Sequence, residues 1–177
     1  MNKYLSIITL NVSGLNVPIK RHKIAKWVRN HDPHIGCLQE THPQNKKTYT
    51  DWKWRDGTNI SSKWTEKKSR VAILISDKIN FKTRAIKRDQ ERHFIILKGR
   101  THQEDINIVS INAPNIGAPK YIRKILEDFK KDIDSNTIIL GVFNTPLSKM
   151  DRSSKQNLNK DIVSLNNTLE EMDLTDM

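Results

Sequence analysis

The run Thr137-Ile-Ile-Leu-Gly-Val-Phe-Asn-Thr-Pro-Leu147 restricts the folds open to this chain more than any other stretch. Its apolar, β-prone residues Ile138 to Leu140 break at Gly141. Phe143, Asn144, Thr145 and Pro146 then enter a turn, which is the pattern of a buried strand with polar groups at its C-terminal end. The run from Ile106 to Asn115 has the same form and ends on Asn112, Pro114 and Asn115. Ser6 to Asn11 and Ile35 to Glu40 repeat it, each closing on a side chain able to hold a metal or a phosphate. Strands that end on Asn, Glu, Asn and Asn predict one polar mouth assembled from several strand ends.

Between these strands the pattern changes period. Asn16 and Pro18 open a helix on which Ile19, Ile24, Trp27 and Val28 share a face, with Lys20, Arg21, Lys23, Lys26 and Arg29 on the other side. That basic face is read as solvated. Asp32-Pro33 closes the helix. His31, His34 and Cys37 are spaced three apart, but on an extended chain such side chains alternate faces and cannot converge on zinc, so Cys37 is assigned to the core. From His42 to Ser69 the periodicity weakens, and Trp52, Trp54 and Trp64 in this segment are read as packing residues.

Arg70 to Ser76 reads as a strand, followed by a basic connection through Lys78, Lys82, Arg84, Lys87 and Arg88. Phe94 to Leu97 and Ile106 to Ile111 read as strands around a turn at Lys98-Gly-Arg100. Ala118-Pro119 opens a helix whose apolar stripe runs through Tyr121, Ile122, Ile125, Leu126, Phe129 and Ile133. A last helix presents Leu158, Ile162, Leu165, Leu169 and Met172. Strands interleaved with helices, without internal repeats, predict a layered α/β domain.

Length and charge narrow the function. A chain of 177 residues supports one domain with a sizeable core. No apolar run approaches the length needed to cross a bilayer, and Met1-Asn-Lys-Tyr4 does not open a signal peptide, so the expectation is an intracellular protein with no membrane partner. With Cys37 as its one cysteine the chain has no internal disulfide framework. Its 31 Lys and Arg outnumber 20 Asp and Glu, giving a net charge of +11. Basic clusters recur along the chain instead of forming one tail, which favours a polyanion, above all nucleic acid.

The order and wording of five segments, Thr9-Leu10-Asn11, Leu38-Gln39-Glu40-Thr41, Val71-Ala72-Ile73-Leu74, Asn112-Ala113-Pro114-Asn115 and Gly141-Val142-Phe143-Asn144, resemble the endonuclease/exonuclease/phosphatase superfamily, which includes exonuclease III-like abasic-site endonucleases. Gly14-Leu-Asn16, Ile116-Gly-Ala-Pro119, Asn144-Thr-Pro-Leu147 and Asp151-Arg-Ser153 narrow the likeness to the endonuclease domain of long interspersed element retrotransposon polyproteins. The resemblance implies a two-sheet α/β sandwich of the DNase I-like type, here a single partial domain over residues 1–177 that is incomplete at its C-terminus. It also implies magnesium-dependent cleavage of double-stranded DNA in the nucleus, by target nicking or abasic-site incision. Manganese is the alternative ion, and no small-molecule cofactor is implied.

By the same resemblance Asn11 and Glu40 serve the metal, Asn144 positions the attacked phosphate, and Asn115 and Arg152 meet the DNA backbone. Three departures stand beside these matches. Val142 replaces the motif Asp that orients or deprotonates the attacking water, Asn112 replaces the usual Tyr, and Arg70 stands where relatives have Gly. The family's closing Asp-His pair would follow Met177. Impaired or absent catalysis is therefore expected. The rival expectations are a non-catalytic nucleic-acid-binding module and a decayed, poorly folding retrotransposon fragment. The oligomeric state is left open by the sequence.

Overall fold

Five consecutive buried residues in Ile35–Gln39 and five more in Val71–Ile75 mark strands covered on both faces. The computed structural model describes residues 4–42, 70–90, 93–101, 104–147 and 159–175. The Trp52, Trp54 and Trp64 segment, Leu158 and the Asp151-Arg152-Ser153 motif lie outside the described residues. Contacts divide the chain into two compact units, one of residues 1–112 with 136–142 and the other of residues 113–135 with 143–177.

The first unit holds both sheets. β1 (Ile7–Asn11) runs parallel to β2 (Ile35–Gln39), which pairs antiparallel with β3 (Val71–Ile75). The second sheet has the order β4 (Lys82–Arg88), β5 (Phe94–Thr101), β6 (Glu104–Asn112) and β7 (Thr137–Val142), antiparallel except for the parallel β6–β7 pair. Ile35 and Cys37 of β2, Ile73 and Ile75 of β3, Leu97 of β5, Ile106 and Ile108 of β6 and Leu140 of β7 form one core cluster between the sheets. Each such side chain contributes on the order of 1.5–3 kcal/mol by leaving water. This is the two-sheet α/β sandwich that the motif order implied.

Helix α1 (Pro18–His31) starts with Pro at its first turn and ends where Asp32 turns left-handed at φ 45°. Leu10, Leu38, Ala72 and Leu74 of the three-stranded sheet cluster with Ile24 of this helix and with Val12 and Leu15. The expected apolar face is only partly covered. Val28 is buried, whereas Ile19 and Trp27 stay exposed, with the Trp27 ring stacked on His31 at 3.9 Å between centroids.

Two expectations about the second sheet are corrected. Lys98, Gly99 and Arg100 do not turn but continue β5 to Thr101. Gly99 tolerates the strand because the Phe81 ring lies over it, and a Cβ at this position would come within 2.2 Å of that ring. The basic segment Lys82 to Arg88 is not a connection but the outermost strand of the sheet, where charged side chains discourage edge pairing.

The second unit pairs α2 (Ala118–Asp128) with α3 (Lys160–Glu171). Ile122, Ile125 and Leu126 of α2 and Leu165 of α3 are buried, as the apolar spacing predicted. The stripe from Tyr121 to Ile133 does not form one helix, because α2 closes at Phe129 and a short 3-10 turn, Lys130–Asp132, follows. Lys120 and Asp161 pair across the two helices at 3.6 Å. Among the described residues no helix is long and apolar enough to cross a membrane.

Candidate active site

β1 and β2 run in the same direction, with Asn11 in register with Gln39, so both deliver polar residues at one edge of the sheet. Glu40 follows β2 with φ at 55°, a left-handed conformation that costs a non-glycine residue about 1–2 kcal/mol. Ser13 at 42° and His42 at 37° share it in the facing segments. A ladder holds these residues in place. Val12 N donates to Gln39 O at 3.0 Å, Gly14 N to Glu40 O at 2.6 Å, Leu15 N to Thr41 O at 2.9 Å, and Asn16 Nδ2 to His42 O at 2.8 Å. Backbone strain this well supported is typical of functional sites.

Within this cradle the Asn11 amide is fixed at both ends. Its Oδ1 accepts from Ser13 N at 3.0 Å, which leaves Nδ2 to donate to Glu40 Oε1 at 2.9 Å. The helix contributes as well. Lys20 Nζ donates to Ser13 O at 2.7 Å, and Arg21 Nη1 donates to Leu15 O and Asn16 O, each at 2.9 Å. The Lys20 and Arg21 side chains thus satisfy carbonyls of the loop behind Asn11, a role the reading of a simply solvated face missed.

Gln39 is a second residue that the motif reading passed over. It is 1% exposed, with Oε1 accepting from Thr9 Oγ1 at 3.1 Å and Nε2 donating to Ser110 Oγ at 3.3 Å. Thr9 and Gln39 belong to one sheet and buried Ser110 to the other, so this amide ties the sheets together just beneath Glu40. The sequence carried a signal for it: Gln39 has the same parity as Ile35 and Cys37 and must therefore face the interior.

On the second sheet the parallel register of β6 and β7 runs from Asn107↔Thr137 to Asn112↔Val142. Asn112 is buried and its N–H donates to His93 O at 2.7 Å, while Val142 is half-buried beside it. Gly141 makes this close approach possible, because a Cβ there would lie 1.9 Å from Ile111 O. In the second unit Asn144, at φ 50°, donates from Nδ2 to Ala113 O at 2.8 Å and to Asn115 Oδ1 at 2.9 Å. The structure therefore brings the candidate residues together as two pairs, Asn11 with Glu40 and Asn144 with Asn115. Arg152 lies outside the described residues.

Among the described residues no group of three or more His, Cys, Asp or Glu side chains is placed to share a metal. The donor set at the strand ends is one carboxylate, Glu40, with an amide beside it. That set fits a hard cation such as magnesium, which commonly takes one or two carboxylates and keeps several waters, and it does not suit zinc. The buried thiol in the interior is no alternative ligand, since desolvation pushes Cys37 up to about 12 and keeps it protonated.

Solved structures share this architecture. An AP endonuclease from Archaeoglobus fulgidus superimposes with a TM-score of 0.66 at 19% identity, over 96% of this chain and 71% of its own. The endonuclease domain of TRAS1, a telomere-specific non-LTR retrotransposon, gives 0.63 at 14% identity, over 95% of this chain and 72% of its own. A humanized D. rerio TDP2 gives 0.63 at 14% identity, and this chain covers 66% of it. At the level of sequence, the transposon TX1 uncharacterized 149 kDa protein of Xenopus laevis is 29% identical over 156 residues, which are 84% of this chain but 12% of that protein. The family model for the endonuclease/exonuclease/phosphatase family matches residues 8–173, and the chain belongs to that family.

Proposed function

We propose that this chain is a nuclease-type phosphodiesterase domain of retrotransposon origin, built to act on double-stranded DNA in the nucleus with magnesium or manganese, and catalytically impaired as it stands. The observation that carries the proposal is the Asn11–Glu40 hydrogen bond of 2.9 Å at the ends of two parallel strands. It presents one oriented carboxylate where a divalent ion can be held. When bound, such an ion supplies positive charge to the oxygens of a phosphodiester.

The remaining chemistry falls to the protein. Asn11 keeps Glu40 Oε1 engaged and so orients the carboxylate. Asn144 spends its Nδ2 hydrogens on Ala113 O and Asn115 Oδ1 and so orients Asn115, whose own Nδ2 is suited to donate to a phosphate oxygen, and Arg152 adds a positive contact to the backbone. Hydrolysis also needs a group that takes a proton from water. Val142, in register with Asn112 at the strand end, has no atom that can accept one. That observation favours, as a second reading, a module that binds nucleic acid without cutting it.

Nicking of supercoiled plasmid under magnesium or manganese tests the proposal. The chain should bind manganese through Glu40 and turn over far more slowly than an active member of the family that carries Asp at the place of Val142. Turnover equal to such a member would overturn the impairment, and manganese binding unchanged in Glu40→Gln would overturn the site.

A further inference from the structure

The exposed face of β4 and β5 carries charge that edge protection does not account for. The two strands contribute Lys82, Arg84, Lys87, Arg88, Lys98 and Arg100 and no acid. Charged side chains on an outermost strand such as β4 discourage pairing with another chain. β5, however, lies inside the sheet with β4 and β6 on either side, so Lys98 and Arg100 have no edge to protect.

Register gathers Lys82, Lys87, Lys98 and Arg100 on one face, whereas Arg88 stands opposite Ile95, which packs against the interior cluster, and is not part of it. Lys82 stands directly opposite Arg100, and Ala85 opposite Lys98. Leu97 joins the interior cluster, so alternation places Lys98 and, two residues further, Arg100 on the face away from that interior. The β-bulge between Thr83 and Ala85 adds an extra residue, Arg84, whose Nη1 meets Asp105 Oδ2 at 3.0 Å. Arg100 Nε reaches Oδ1 of the same carboxylate at 3.4 Å. One aspartate is thus shared by two guanidinium groups, both about half exposed, with Lys82 in register opposite Arg100. Like charges placed opposite each other destabilise a sheet. A surface that carries such a cost and remains open to solvent suits a polyanion whose phosphates relieve the repulsion.

We infer that this face, centred on Lys82, Arg84, Lys98 and Arg100, is a second nucleic-acid contact that grips the phosphate backbone without reading sequence. Asp105 lies seven residues before Asn112 on β6, which at about 3.3 Å per residue puts the patch about 23 Å from the Asn112 end of that strand, where Val142 lies in register. The inference shares with the proposed function only the class of partner, nucleic acid, and does not depend on the chemistry at Glu40.

Binding of a fluorescein-labelled duplex of random sequence, followed by anisotropy across a salt series, tests it. Lys82→Gln/Lys98→Gln/Arg100→Gln should weaken binding, and the slope of log K against log salt should shrink by about one unit for each phosphate left without its cation. Lys82→Arg/Lys98→Arg, which keeps the charge, should bind like the parent. Single Lys82→Gln, on an exposed side chain of the outermost strand, gives the same reading should the triple variant unfold below room temperature. Parent-like affinity and slope in the neutralised variants, or equal weakening in the charge-keeping variant, would overturn the inference. Glu40→Gln, titrated with manganese alongside the same series, separates the two sites. Parent-like binding in the patch variants would remove the patch and leave the proposed function standing, whereas Glu40→Gln that holds manganese like the parent would remove the proposed site and leave the patch standing.

Discussion

Asn11 Nδ2 lies 2.9 Å from Glu40 Oε1 and joins the ends of two adjacent parallel strands through their side chains. The bond gives a first prediction. Glu40→Gln keeps an Oε1 that Asn11 can still meet, so folding should change by no more than about 0.5 kcal/mol, while the hard anionic ligand is gone. Asn11→Ala keeps the anion but frees its orientation, and should weaken manganese binding about 10–100-fold. Calorimetric titration with manganese, paired with thermal unfolding, checks both.

Val142→Asp should raise plasmid nicking. One missing acid-base group typically costs about a hundred- to ten-thousand-fold, and that range bounds the gain. Groups that act as a unit do not contribute independently, so the gain belongs at the lower end. Single-turnover nicking of the parent and substituted chains is the measurement. No gain would mean that Val142 does not occupy the water-activating position.

Gly141→Ala should be among the most damaging substitutions in the chain. Its Cβ would meet Ile111 O at 1.9 Å, and its φ of 141° is unfavourable for an L side chain. Backbone cannot retreat as a flexible side chain can, so a destabilisation of about 3 kcal/mol or more is expected in urea unfolding. Gly99→Ala should cost less, since the nearest obstacle there is the far end of the Phe81 side chain, which can swing aside, with Lys82 O next at 2.8 Å.

Cys37 predicts how stability falls in alkali. Burial pushes its thiol from 9.0 up to about 12, so above pH 9 the unfolded chain releases a proton that the folded chain keeps. The resulting stability is complete below pH 9 and is lost as pH rises from 9 towards about 12, at up to about 1.4 kcal/mol per unit. Urea unfolding across that window should show the decline in the parent and a shallower one in Cys37→Ala. A thiol reagent such as Ellman's should label the native protein only as fast as it unfolds.

Much of this architecture could be read directly from residue types. The strand ends stood out because apolar runs such as Ile138 to Leu140 stop at polar residues, and the Ile122, Ile125 and Leu126 spacing identified a buried helix face. Spacing alone could not tell which apolar face is covered, so Ile19 and Trp27 were expected beside Val28 and are exposed. Gly99 suggested a turn because glycine is a local signal, whereas the Phe81 ring that accommodates it in a strand comes from distant sequence. Gln39 and the left-handed backbone at Glu40 were hidden for a related reason. A buried amide bridge needs the partner Ser110 from another sheet, and the backbone conformation needs the ladder from Val12 to Asn16.

The Gln39 bridge also bears on how such a domain ages. Its partners, Thr9 and Ser110, hold the two layers together through side chains other than those that close the strands at Glu40 and Val142. Substitutions at the strand ends can therefore accumulate while the frame that carries them persists.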